Sequence, residues 1–143
     1  MNARRLAPTL LVATLAACAT AAPPATEATF PLDRPWMWTG TDVGGARKHG
    51  PGEPERYAIV FEPSGRAAIR LDCNRGAARW TRDGAKLTLS PIAATKMNCP
   101  RGSLDVVYAG DLSRIDGWRV DGSSLLLTGS ANESVMRFAP LKP

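Results

Sequence analysis

The stretch Ala67-Ala68-Ile69-Arg70-Leu71-Asp72-Cys73-Asn74 decides the fold. Ala67, Ile69, Leu71 and Cys73 alternate with Ala68, Arg70, Asp72 and Asn74. A period of two turns one face of a strand to a core and the other to water, so this is a half-buried strand. Arg66, Arg70 and Asp72 share its outward face on this reading. Upstream, Tyr57 to Phe61 is an unbroken apolar run suited to a buried strand, and Pro63-Ser64-Gly65 makes the turn between the two. Downstream, Trp80 marks another strand, Asp83-Gly84 a hairpin turn, and Leu87 and Leu89 the strand after it.

The same rhythm continues outward. Trp36 and Trp38 fall on one face of a first strand, and Gly44 to Pro54 reads as a Gly/Pro-rich loop. Gly117 to Val120, Ser124 to Thr128 and Ser134 to Phe138 are three closing strands, with turns at Asp121-Gly122 and Gly129 to Asn132. Ser103 to Ile115 breaks the pattern. Leu104, Val107, Tyr108, Leu112 and Ile115 recur every three or four residues, which predicts one apolar helical face. Ser103 is placed to cap this helix and Asp105 to meet its dipole, while Gly110 weakens it by up to ~1 kcal/mol. The expected class is mainly β with one helix (α+β). The architecture is a curled antiparallel sheet or small β-barrel of about eight strands, the helix lying between the fifth and sixth strands over an opening.

The N-terminus carries a different message. Arg4 and Arg5 precede the apolar run Leu6 to Ala16, which is far shorter than the ~20 residues a membrane-spanning helix needs, so residues 1–17 read as an export signal. Leu15-Ala16-Ala17-Cys18 resembles the lipobox of bacterial lipoproteins, which implies cleavage before Cys18 and diacylglycerol on its sulfur. Ordinary secretion is the alternative, because Ala17-Cys18-Ala19 and Ala19-Thr20-Ala21 also offer small-x-small cleavage sites. Residues 18–35, rich in Ala, Thr and Pro, then read as the lipidated cysteine and a flexible tether, and 36–140 as the domain. Ala19 stands where inner-membrane lipoproteins carry a retaining aspartate. By resemblance this implies the outer membrane, facing the periplasm, in a Gram-negative host.

The formal charge of +5 falls by two when Arg4 and Arg5 leave with the signal. Such mild basicity suits a monomeric domain beside anionic membrane surfaces and gives no reason to expect nucleic acid. Of three cysteines, lipidation of Cys18 leaves Cys73 and Cys99, an even pair in an oxidising compartment. A disulfide between them would close a loop of about 26 residues and stabilise by about 3–4 kcal/mol in the chain-entropy model. Two buried free thiols are the alternative. His49 is the only histidine and lies far upstream, so neither zinc nor another cofactor is expected.

Two motif pieces resemble a known family. One is Phe61-Glu62-Pro63-Ser64-Gly65-Arg66 followed by Cys73-Asn74-Arg75 and Trp80; the other is Leu87 to Pro100, containing Thr95-Lys96-Met97-Asn98-Cys99. Together they resemble the META domain, the HslJ-like family of heat-shock-associated bacterial lipoproteins. The likeness continues through Leu125, Leu127 and Phe138. It implies structural roles for Phe61, Gly65, Asn74, Thr95 and Met97, a cell-envelope location linked to stress, and no shared catalytic residues. Three glycines of the family pattern are replaced here, by Asp72, Ile69 and Ala78, which implies altered strand curvature.

The remaining residues supply little chemistry. His49 sits in the expected loop with no partner indicated by spacing, and Glu53, Glu55, Asp105, Asp111 and Asp116 read as surface carboxylates. Arg66, Arg70, Arg75, Arg79, Arg82 and Lys86 make a basic stretch that reads as a solvated face, or as a surface for phosphates or an acidic protein. The four tryptophans read as core. Asn74 is expected to satisfy the backbone of its own turn, and Met97 to pack into the core beside the cysteines. The expected function is non-catalytic: an envelope lipoprotein that binds or supports another envelope component. A carrier or chaperone for an acyl chain is the alternative, and a cell-wall hydrolase the third reading.

Overall fold

Alternating burial along Tyr57–Phe61, Arg66–Leu71 and Ser134–Pro140 turns one face of each strand inward, and antiparallel strands form a ring around an aromatic interior. The computed structural model describes residues 29–141. The export signal, Cys18 and most of the tether lie outside the described residues. Ten strands and one α-helix follow in order: β1 Trp36–Val43, β2 Ala46–His49, β3 Tyr57–Phe61, β4 Arg66–Leu71, β5 Asn74–Asp83, β6 Lys86–Leu89, β7 Ala93–Ala94, α1 Asp105–Leu112, β8 Gly117–Asp121, β9 Ser124–Gly129 and β10 Ser134–Pro140. The sheet runs β10-β9-β8-β6-β5-β4-β3-β1-β2, and β10 also pairs with β1, which closes the ring. The closure is long, from Trp36 opposite Pro140 to Val43 opposite Ser134. The contact between β6 and β8 is the narrowest, with Lys86 opposite Gly117.

Two short strands exceed the eight expected. β2 lies inside the expected Gly44–Pro54 loop, because Gly44 and Gly45 both take positive φ (58° and 82°) and fold the chain back on β1 in a two-residue hairpin. β7 pairs with β5 through Ala93 and Ala94. The helix therefore falls between the seventh and eighth strands.

The interior is filled by Trp36 and Trp38 of β1, Tyr57, Ile59 and Phe61 of β3, Ala67, Ile69 and Leu71 of β4, Leu87 of β6, Leu125 and Leu127 of β9, and Met136 and Phe138 of β10. These are the inward positions that alternation assigns. The helix contributes Tyr108 and Leu112, with Ile115 just beyond, and Tyr108 stacks on Trp38 with ring centroids 4.9 Å apart. It is shorter than the expected Ser103–Ile115 segment. Val107, assigned to the apolar face, is exposed. Trp80 is only half-buried at the margin of the core.

The largest departure is at the N-terminal edge. Phe30, inside the stretch read as tether, is buried, with its ring 5.0 Å from Phe61, 5.0 Å from Trp80 and 4.8 Å from Trp118. The Asp33 N–H donates to the Phe61 carbonyl, and the Leu141 N–H to that of Pro35. One aromatic in an Ala/Thr/Pro background is enough to dock the segment, so the folded part begins near residue 30.

A charge cluster reinforces the ring closure. Asp42 of β1 accepts from Arg47 Nε of β2 at 2.7 Å and from Arg137 Nε of β10 at 2.6 Å, joining three adjacent strands. Arg47 also donates to the Thr39 carbonyl and lies against Gly40, where a Cβ would meet its Nη1 at 1.7 Å. The hydrogen bond from Arg137 holds the Asp42 carboxyl below its ordinary value; burial opposes this and the Arg47 charge adds to it. A depressed carboxyl stabilises the fold above the ordinary carboxylate range and loses that contribution as pH falls through it. Asp42→Asn should therefore lower stability by roughly 1 kcal/mol at neutral pH, a modest figure because both arginines are partly exposed. Melting curves across pH test this: the deficit should shrink toward pH ~3, near the ordinary carboxylate pKa, and a pH-independent deficit would contradict it.

Candidate functional site

Asn74 opens β5 and is buried, with 3% of its surface exposed. Its side chain reaches away from its own turn to the segment before α1. Oδ1 accepts the Thr95 hydroxyl at 2.8 Å and the Met97 N–H at 2.8 Å. Nδ2 donates toward the Met97 carbonyl at 3.2 Å, Asp105 Oδ2 at 3.2 Å and Cys99 Sγ at 3.3 Å. The Thr95 hydroxyl also accepts the Arg75 N–H at 3.1 Å, while the Thr95 N–H returns to the Arg75 carbonyl at 3.0 Å. A carboxamide can act as both donor and acceptor, as a loop segment laid against a sheet requires. Beside it a disulfide joins Cys73 to Cys99. Thr95, Met97 and Cys99 are thus fastened to Asn74 and Cys73 at alternate positions.

This corrects two expectations. Asn74 holds a segment more than twenty residues away, because the left-handed turn before it points its side chain inward. Met97 is 60% exposed, so its side chain does not pack into the core beside the cysteines; its backbone meets Asn74 instead. The turn itself depends on Asp72, which adopts φ 59°, the left-handed region that favours glycine. That twist removes Asp72 from the outward face of Arg66 and Arg70 and buries its carboxylate. There it forms an ion pair with Arg56 and accepts from Tyr57 Oη at 3.3 Å. The Tyr57 oxygen in turn accepts the Leu104 N–H at 2.9 Å, just ahead of α1. Phe61 is fully buried, and Gly65 turns with φ 81° while its N–H donates to the Glu62 carbonyl.

Between this fastened segment and α1 lies an open groove of about 630 Å³, lined by Leu71, Asn74, Met97, Cys99, Val106 and Ala109 among others. Met97 and Val106 stand out from its rim, Val106 with 77% of its surface exposed.

A second cluster was not foreseen. Asp111 of α1, read as a surface charge, is 6% exposed. Its Oδ2 accepts the Thr41 hydroxyl at 2.7 Å and contacts His49 Nε2 at 2.7 Å, and its Oδ1 accepts from Arg114 Nη2 at 2.5 Å. Trp38 Nε1 donates to the Thr41 oxygen at 3.2 Å. His49 sits on β2, the strand hidden in the glycine-rich stretch, which is why no partner was apparent. Asp111 follows Tyr108 by three residues, so it belongs to the same buried face; an acid at that offset was the available signal. Thr41 is 1% exposed, so its hydroxyl is shut off from any substrate. Three of the other candidate carboxylates are also engaged: Asp105 accepts from Asn74, Asp116 from Ser130, and Glu53 faces Arg56. Among the described residues no three His, Cys, Asp or Glu side chains form a group that could hold a metal.

The positions of Asn74, Thr95 and Cys99 under the helix match the motif order, and the model of the META domain matches residues 34–141. The chain belongs to the META domain family. No curated protein matches the sequence. Solved structures share the fold. A protein from Burkholderia xenovorans, solved by NMR, superposes with a TM-score of 0.62 at 21% identity, covering 86% of this chain and 99% of that one. A DUF4847 family protein from Bacteroides vulgatus superposes at 0.55 with 16% identity, covering 74% of this chain and 91% of its own. At Asp72, one of the positions where the resemblance implies glycine, this META domain keeps the left-handed backbone that glycine favours.

Asn74→Ala is expected to lose about 2–4 kcal/mol of stability, since buried donors and acceptors are left without partners. Denaturant unfolding of the oxidised protein checks this, and a loss below about 1 kcal/mol, the worth of a single hydrogen bond, would contradict it. At position 72, both Gly and Ala remove the contacts to Arg56 and Tyr57, but only Gly relieves the backbone. Asp72→Ala should therefore be less stable than Asp72→Gly by about 1 kcal/mol; equal stabilities would count against a left-handed turn.

Proposed function

We propose that this META domain is a non-catalytic binding or support module of the bacterial envelope, anchored through a lipid on Cys18 and acting in the envelope stress response. The groove beside the disulfide is its contact surface, and its partner is an envelope protein segment with apolar side chains. The observation that carries this reading is the use of the motif side chains. Asn74, Thr95 and the two cysteines are all engaged in holding residues 95–99, and what they present outward is a braced groove with Met97 and Val106 on its rim. The His49–Asp111 pair supports the same reading, because the adjacent hydroxyl is buried and donates to the carboxylate. A hydrolase would need an accessible nucleophile beside that base.

The carrier reading has less in its favour. Trp38, Phe61, Tyr108 and Phe138 fill the interior that an acyl chain would occupy. The lipobox-like sequence and Ala19 favour the outer membrane, facing the periplasm, with the domain acting as a monomer.

Two measurements test the proposal. A palmitate analogue fed to cells should label the wild type and not Cys18→Ala; equal labelling would remove the anchor. A photo-crosslinking residue at Met97 should give a discrete adduct with an envelope protein, whereas one at the exposed Arg119 of β8 should not. Identical adducts from both positions, or none from Met97, would overturn the groove as the contact surface.

A further inference from the structure

The outward face of β3, β4 and β5 carries an arrangement that strand stability alone does not favour. The register sets Arg66 directly opposite Arg79 and Arg70 directly opposite Arg75. Like charges opposed across an antiparallel pair repel, and here that happens twice on one face. The pairs are four residues apart along β4, about 13 Å. Between them runs a row of small apolar residues, Val60 opposite Ala68, Ala68 opposite Ala77 and Ala77 opposite Ala93.

All four arginines are exposed. The one carboxylate that contacts any of them, among the described residues, is Glu62, 2.6 Å from Arg66. Asp72, the acid that alternation placed on this face, is buried elsewhere. Arg75 is steadied by the carbonyl oxygens of Asp72 and Asn74 at 3.3 and 3.1 Å, which fixes a charge at this corner. A shallow hollow of about 240 Å³ lies among Ala58, Val60, Arg66, Ala68, Arg70 and Arg75. A second, of about 420 Å³, adjoins it over Ala77 and Ala93.

We propose that this face binds the phosphate headgroups of anionic phospholipids at a bilayer surface. Guanidinium groups take phosphate oxygens in pairs, and opposed arginines become favourable once anions sit between them. The low floor of alanines lets a flat surface approach both pairs. Charge complementarity favours a bilayer over an acidic polypeptide: laterally mobile headgroups can settle at both pairs, whereas a polypeptide needs carboxylates placed at that one spacing. This inference does not depend on the lipid anchor, and the test removes the anchor.

The probe is vesicles of phosphatidylglycerol and phosphatidylcholine in equal parts, compared with phosphatidylcholine alone. The protein is the mature chain, residues 18–143 carrying Cys18→Ala, which lacks the apolar export signal as well as the lipid. Binding should require phosphatidylglycerol and weaken with salt. Adding Arg70→Ala and Arg79→Ala should reduce partitioning about thirtyfold, from the usual contribution of each basic residue near an anionic surface. Removing two exposed charges elsewhere, Lys48 and Arg119, should change it several-fold less. The double arginine variant should melt no lower than its parent, because a repulsion is relieved. Unchanged partitioning in that variant, or equal loss in the Lys48/Arg119 control, would overturn the proposal. So would displacement by millimolar inorganic phosphate at constant ionic strength, which would make free phosphate the ligand, or arginine-dependent binding of polyglutamate without binding to vesicles.

Discussion

The buried carboxamide of Asn74 is the contact on which the rest of the site depends. A backbone segment without regular structure must have its polar groups satisfied when it lies against a sheet. Residues 95–99 pair with β5 only through Thr95, and Asn74 supplies a donor and an acceptor for Met97 from the sheet side. The disulfide then restricts the same segment from the neighbouring residue. Hydrogen bonds set where the segment lies, and the covalent link limits how far it can depart. Leu104 is placed next, by Tyr57, and α1 starts from there over the interior.

Asp111 fastens the other side of that helix. Its carboxylate ties α1 to Thr41 of β1 and His49 of β2, while Asp42 ties β1 to β2 and β10. A burial cost that would be prohibitive for a lone carboxylate is offset by several polar partners. The helix and the ring closure are therefore held by charged side chains, whereas residues 95–99 are held chiefly by a neutral carboxamide and a covalent bond.

Much of this was legible in the sequence. The alternation in β4 located its strand because burial on one face leaves a period of two that no helix shares, and a short unbroken apolar run ended by a turn located β3. The order of Cys73, Asn74, Thr95 and Cys99 pointed to the family, and an even pair of cysteines behind an export signal pointed to the paired sulfurs. The site's geometry was less visible. Asp72 looked like an outward strand residue because alternation assumes that the strand continues, and a left-handed backbone at that position ends it. His49 looked isolated because its strand consists of polar residues at an edge, where no apolar period forms. Phe30 stood alone in a composition that usually signals a tether, and docking by one ring leaves no pattern to read. Met97 was assigned by its side chain, although its amide makes the contact.

The most direct measurement is hydrogen exchange at the Met97 amide, whose partner is the Asn74 side-chain oxygen. In the oxidised wild type this amide should be protected like those of β5. In oxidised Asn74→Ala it should exchange as fast as an open loop while β5 stays protected. Persistent protection with the disulfide intact would mean that the sulfurs alone hold the segment, and that the carboxamide is not the element on which the site is built.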